Sequence, residues 1–198
     1  MKQLIKIVLL VFIIGGCSKR NAGYIATIQN LRVQKHQTLI EGEGAPLTEN
    51  EVRFLHYFPT DVKYKCECAF AVEDQHKVVE MPTYAGTTTT YRIFGRASCK
   101  VKKDSITLLI YEPMNLTPLY KGRLFLPFKD ATNGESSYGG GRYIDLFEKD
   151  IKNGMLMIDF NMAYNPLCAY KDGYRCPIPP RENHLNISIE AGEKNFLN

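Results

Sequence analysis

The chain has 198 residues, 44% of them hydrophobic and 23% charged, with a formal net charge of +4. That length supports one domain with a real core and leaves little material for a second. The excess of positive charge is too small for the basic face that nucleic acid requires, so no nucleic-acid partner is expected.

Lys2 and Lys6 precede an apolar run from Ile7 to Ile14, and Gly15 and Gly16 lead into Cys17. A positive region, an apolar stretch well short of the roughly 20 residues of a membrane span, and small residues at a cleavage point describe an export signal. Ile14-Gly15-Gly16-Cys17 resembles the bacterial lipobox, whose cysteine is acylated and becomes the first residue of the mature chain. The alternatives are an ordinary signal with a chance cysteine, or a retained anchor. The lipobox reading predicts a lipid membrane partner through acylated Cys17. Ser18 stands where an aspartate would favour inner-membrane retention, and no acidic run follows. The expected location is therefore the outer membrane, facing the periplasm. The expected organisation is a signal peptide over 1–16, a lipidated N-terminus and tether over 17–45, and one β domain over 46–198.

Removal of the signal takes Lys2 and Lys6, so the 25 basic residues fall to 23 against 21 acidic ones. Acylation of Cys17 leaves Cys66, Cys68, Cys99, Cys168 and Cys176 in a compartment where disulfides persist. The odd number leaves at least one thiol unpaired within a monomer.

Along the chain, residues 18–45 show little continuous apolar pattern and read as a tether, with a short ordered stretch near Tyr24–Leu31. Thr48 and Glu51 form a capping-box pattern and Leu47 can staple onto Val52, which predicts a helix over about 48–58 stopped by Pro59. The period then changes to two. Val62, Tyr64, Cys66, Cys68 and Phe70 alternate with polar residues as in a half-buried strand. Tyr91, Ile93, Ala97, Cys99 and Val101 repeat the pattern. Ile106–Tyr111 follows the turn at Lys103-Asp104, which predicts a hairpin. Leu124–Phe128, Arg142–Leu146, Met155–Phe160 and Leu185–Ile189 read as further short strands between turn signals. The expected fold is mostly β, an antiparallel sandwich or partly closed barrel with one short helix and long C-terminal loops.

Leu126 to Gly134 (LPFKDATNG) and Ser137 to Tyr143 (SYGGGRY) are unusual in composition. So are Asp159 to Cys168 (DFNMAYNPLC), Cys176 to Asn183 (CPIPPREN) and Glu190 to Lys194 (EAGEK). In this order they resemble an uncharacterised bacterial family, domain-of-unknown-function family 1684. Tyr57-Phe58-Pro59, Pro82-Thr83, Gly86 and Gly95 extend the resemblance more loosely, for a span of about Pro46 to Lys194. The resemblance implies a fold group and no activity. It also implies that Cys66, Cys68 and Cys99 occupy positions where the family has ordinary core residues.

Cys168 and Cys176 bracket a Tyr/Lys/Gly loop and are expected to form a disulfide. A zinc site with His184 is the competing reading, but closely spaced ligand pairs such as C-x₂-C are absent. Cys66 and Cys68 share one strand face, so either, but not both, can reach Cys99 from a neighbouring strand. All three can equally be small buried hydrophobes. Tyr138 to Tyr143 lacks the helix start and lysine of a phosphate loop, and its glycines fit a bulge or a close backbone approach. Asp130 to Glu135 departs from the calcium-loop pattern and reads as a hairpin turn.

The remaining polar set is Arg142, Asp159, Asn161, Tyr164, Asn165, Glu182 and His184. Arg142, Asp159 and Glu182 are expected to converge on one concavity with Tyr143 or Tyr164 as an apolar wall and Asn161 and Asn165 nearby. The loop Asn165–Asn183 would form its rim. Such a site would bind a small molecule, glycan or envelope protein, with no cofactor or metal. A hydrolase-like enzyme using Asp159, Glu182 and His184 is the alternative, since carboxylates beside a histidine can do acid–base work. A structural subunit of an envelope complex is a third reading. No G-x-S-x-G, H-E-x-x-H or nucleotide fingerprint is present.

Overall fold

Alternation of small apolar and charged residues builds the first strand, β1 (Lys65–Val72), where Cys66, Cys68 and Phe70 turn inward and Lys65, Glu67 and Ala69 face solvent. The computed structural model describes residues 2–42, 44–75, 77–114 and 121–196, with side chains from residue 21 onward. Six more strands follow: β2 (Val78–Pro82), β3 (Thr88–Val101), β4 (Asp104–Pro113), β5 (Arg123–Phe128), β6 (Arg142–Phe147) and β7 (Met155–Asp159). They form one antiparallel sheet in the order β6-β5-β4-β3-β1-β7, with β2 paired to the first half of β3. The sheet curls into a half-barrel, so the expected mostly β, partly closed architecture is present.

The two faces of the sheet differ in chemistry. Leu108, Ile110, Leu124, Leu126, Ile144, Leu146, Leu156 and Ile158 lie in the main core with Phe128 and Phe160, which meet edge to face at 5.4 Å. Their neighbours one residue away, Leu109, Tyr111, Phe125 and Tyr143, form an aromatic cluster on the opposite face. A bulge between Ile93 and Gly95 lets β3 serve both faces with residues of the same parity. A one-residue slip reverses which side chains face which way. Before it, Tyr91 and Ile93 join the aromatic face; after it, Ala97, Cys99 and Val101 join the main core. The sequence alternation treats these five residues as one face, and the bulge divides them. Gly95 permits the crossing, because a Cβ there would lie 2.4 Å from the Phe70 ring and 2.5 Å from the Ala71 carbonyl.

The cysteines follow from the register. Phe70 pairs with Ala97 and Ala69 with Ser98, which sets Cys68 opposite Cys99. These two form a disulfide with Cα atoms 4.4 Å apart, and Cys66 is a buried free thiol.

Three expectations are corrected. The Thr48–Glu51 capping box forms, with Thr48 N donating to the Glu51 carboxylate at 2.8 Å and Glu51 N donating to Thr48 Oγ1 at 3.3 Å. It starts only one 3-10 turn, Val52–Phe54, after which Leu55 is extended with ψ 113°. A cap contributes about 1 kcal/mol, and the few residues before Pro59 cannot offset helix nucleation. The α-helix among the described residues is α1 (Lys2–Ile40), which takes in most of the segment expected to be a tether. It docks on the end of β7 and on the irregular segments at Phe58 and Glu193 largely through polar side chains. Tyr24 donates to Asp159 at 2.8 Å, Arg32 to the Phe58 carbonyl at 3.2 Å, and Lys35 pairs with Glu193 at 3.4 Å. Ile28 and Leu39 are its buried apolar anchors. Finally, Leu185–Ile189 is not a strand. It runs irregularly beside the end of β5, with Leu185 N bonded to Lys129 O at 2.8 Å and Ala131 N to Ile187 O at 3.0 Å.

The Cys17 side chain and His76 lie outside the described residues. Among the described residues, no helix is long and apolar enough to cross a membrane.

Candidate functional site

Period two along β6 sends Arg142, Ile144 and Leu146 to the main core and Tyr143 and Asp145 to the aromatic face. Arg142 is completely buried and pairs with the equally buried Asp130. Its guanidinium also donates to the Ile189 carbonyl at 2.8 Å, the Glu193 carbonyl at 3.2 Å, and the Ala191 carbonyl. Burial lowers its pKa, opposed by Asp130. Arg142 therefore ties the C-terminal segment to the sheet, and a ligand has no route to it. Asp130 in turn accepts from Thr132 N at 2.6 Å and shapes the turn between β5 and β6. The neighbouring glycines serve close approach: Gly141 has φ +92°, and a Cβ there would sit 2.7 Å from the Phe128 carbonyl.

The other expected site residues are dispersed. Asp159 caps the turn after β7, accepting from Asn161 N at 3.0 Å, and receives the Tyr24 hydroxyl of α1. Asn161 is buried and bonds Asp61 on both sides, through its amide oxygen and nitrogen. Asn165, also buried, donates its backbone N–H to Glu193 at 2.8 Å and its side chain to the Lys194 carbonyl at 2.8 Å. Glu182 and His184 border a separate hollow of about 430 Å³ beside β2, which Asp159 does not line. Arg142, Asp159 and Glu182 do not converge, and the acid–base set Asp159, Glu182 and His184 is not assembled.

Tyr143 and Tyr164 do meet, at a cavity of about 340 Å³ on the aromatic face. That size is within the range of small-molecule sites, about 300–1,000 Å³. Tyr91 and Phe125 stack with centroids 5.4 Å apart and planes at 20°, Tyr143 meets Phe125 edge-on at 4.8 Å, and Tyr164 stands at 90° to Tyr143. The charged side chains among the described residues at this cavity are Arg123, Asp145 and Arg175. Arg123 pairs with Asp145 at 2.7 Å, and the Tyr164 hydroxyl donates to the other Asp145 oxygen at 3.0 Å. Burial, reinforced by Asp145, raises the Tyr164 pKa well above the usual phenol range, and burial pushes Tyr91 up to about 12. Both phenols are therefore neutral at physiological pH.

One wall is the loop between Cys168 and Cys176. These cysteines form a disulfide with Cα atoms 6.2 Å apart, inside the range of about 4.4–6.8 Å that such a bridge permits. Their sulfurs are thus bonded to each other rather than to zinc. The Tyr143 hydroxyl donates to the Pro177 carbonyl, fastening the loop to the sheet. On the far side of the wall formed by Arg123, Asp145, Tyr164 and Leu167, a second hollow of about 550 Å³ opens beneath α1. There Lys35 lies 3.6 Å from the Tyr164 ring centre and pairs with buried Glu193, which also receives the Tyr57 and Tyr170 hydroxyls. Burial lowers the Lys35 pKa against the pull of Glu193.

Sequence reasoning did not single out Tyr91, Arg123, Phe125, Asp145, Arg175 or Glu193. The alternation Tyr143-Ile144-Asp145 does place a tyrosine and a carboxylate on one strand face and was a usable signal. Arg175 and Glu193 sit in irregular segments, where no period assigns a direction.

The structure thus defines a small half-barrel β protein with a ligand-sized aromatic cavity roofed by a disulfide-closed loop. The chain belongs to the family described as protein of unknown function (DUF1684), whose model matches residues 51–194. Its structure is similar to the solution NMR structure of an uncharacterised protein of Haloarcula marismortui. The two are 30% identical with a TM-score of 0.69, covering 91% of this chain and 98% of that one. The covered share exceeds the chain beyond α1, so the likeness takes in part of that helix. No curated protein matches the chain.

Proposed function

We propose that this is an extracytoplasmic protein, lipid-anchored through Cys17 at the outer membrane and facing the periplasm, whose β domain binds a small molecule. The binding site is the aromatic cavity between Tyr91, Phe125, Tyr143 and Tyr164. The observation that carries the reading is that cavity: five aromatic rings (Tyr91, Phe125, Tyr143, Tyr164 and Tyr174) beside a ligand-sized space, with a few charged groups among its lining, is the composition of a small-molecule site. The lipobox-like run ending at Cys17 supports the anchor, and two disulfides suit an oxidising compartment.

The test is to purify the full lipidated chain from membranes, denature it and identify released small molecules by mass spectrometry. Leu167 is partly exposed at the cavity, so Leu167→Trp should fill the space without disturbing the core. One compound enriched with the natural chain and lost with Leu167→Trp is expected. The same molecules from both chains would sink the binding reading. Anchoring is tested separately: Cys17→Ser should leave an unprocessed precursor or a form released from membranes, and unchanged processing would refute it.

A further inference from the structure

We infer that the cavity takes a small organic monocarboxylate with a flat apolar body, the carboxylate seated on Arg175 and the body against the aromatic lining. The inference rests on the cavity being a ligand site, as proposed above.

The charges around the cavity do not balance. Among the described residues that line the cavity, Arg123 and Arg175 stand with one carboxylate, Asp145. Asp145 is engaged on both oxygens, by Arg123 at 2.7 Å and by the Tyr164 hydroxyl at 3.0 Å. Among the described residues, Arg175 has no hydrogen bond or ion pair. A cavity of aromatic rings beside a carboxylate would by itself suit a cation. Here the carboxylate is neutralised and the unmatched charge is positive, so a cation is repelled and an anion attracted. A guanidinium offers the planar fork of donors that one carboxylate accepts in bidentate fashion.

Arg175 is also held in place. The next residue, Cys176, is buried, bonded to Cys168, and accepts a hydrogen bond from Tyr84 N through its carbonyl at 3.0 Å. Pro177 is held by the Tyr143 hydroxyl. The backbone that carries the guanidinium is therefore set before a ligand arrives, which lowers the entropy lost on binding. The body of the ligand is constrained by the rings. Tyr91, Phe125, Tyr143 and Tyr164 line the space, so a planar apolar group finds aromatic surface to pack against.

The test is calorimetric titration of the full chain with naphthoate and with its neutral isostere naphthamide. Naphthoate should bind about threefold to fivefold more tightly, the ratio expected for one ion pair at the exposed Arg175 guanidinium. Arg175→Gln should abolish that preference and leave the melting temperature unchanged. Equal affinity for the two probes, or a preference that survives Arg175→Gln, would overturn the carboxylate assignment while the cavity stands as a site. If neither probe binds, the cavity reading fails and this inference falls with it.

Discussion

β5, β6 and the turn between them carry two arginine–carboxylate pairs on opposite faces of one sheet, and the two do different things. Arg142–Asp130 lies wholly inside the main core, both side chains at 0% exposure. Arg123–Asp145 borders the aromatic cavity with the side chains 38% and 32% exposed. The residue types are the same and the chemistry is not. In the core, a carboxylate and three backbone carbonyls meet the two terminal nitrogens of the guanidinium, which offsets most of the cost of burying it, while Nε has no partner among the described residues. At the cavity, water screens the pair and leaves its outer atoms accessible. The difference teaches that an arginine amid glycine, asparagine and proline marks a ligand site only when its strand parity points it away from the core.

The largest effect is expected from breaking the inner pair. Arg142→Met strands the Asp130 carboxylate and should lower stability by about 3–5 kcal/mol, read as the midpoint of urea unfolding. Adding Asp130→Leu should restore part of the loss, because no buried charge then remains alone. A single variant as stable as the natural chain would mean that the pair does not hold the C-terminal segment.

Opening the loop should matter next. Replacing Cys168 and Cys176 together with serine removes a bridge across a sequence separation of 8 and should reduce stability by about 2–3 kcal/mol. Naphthoate preference should weaken as well, since Arg175 loses its fixed backbone. A variant that melts lower yet keeps the full preference would separate loop stability from anion binding.

Breaking the outer pair should be nearly silent for folding. Arg123→Met is expected to change stability by no more than about 1 kcal/mol, the range for partly exposed ion pairs. A loss as large as that of Arg142→Met would erase the distinction between the two faces.

The smallest effect is on the free thiol of the main core. Burial pushes the Cys66 thiol from the ordinary 9.0 up to about 11. The folded chain then keeps a proton that the unfolded chain releases, so this contribution is full below pH 9 and is lost as pH rises toward 11. Native Cys66 should resist iodoacetamide at pH 9 and react at once in denaturant. Rapid native alkylation at that pH would show the thiol to be open to solvent.

Most of the sheet was legible because half-buried strands write their period into the chain: β1, the β3–β4 hairpin, β5, β6 and β7 all stand near their expected positions. β2 escaped notice, as a short edge strand of five residues with only Met81 fully buried. α1 escaped for a related reason. It is held to the end of β7 and to the segments at Phe58 and Glu193 through Tyr24, Arg32 and Lys35, so it needs no continuous apolar stripe, and a stripe is what periodicity detects. The capping box misled because a cap satisfies donors at a helix start without making the following residues helical.

Of the candidate site, Tyr143, Tyr164 and the Cys168–Cys176 loop were visible in advance. The positions of Arg142, Asp159 and Glu182 were not. Local sequence by itself determined the strand alternation, the turns, the odd thiol count and the loop cysteines, since each depends on residues close together along the chain. The tertiary structure decided which face each charge occupies and which carboxylate meets which arginine. Those outcomes depend on register, on the bulge at Gly95 that reverses parity, and on where the irregular C-terminal segment packs. All three are set by contacts between residues far apart in sequence, which local periodicity does not encode.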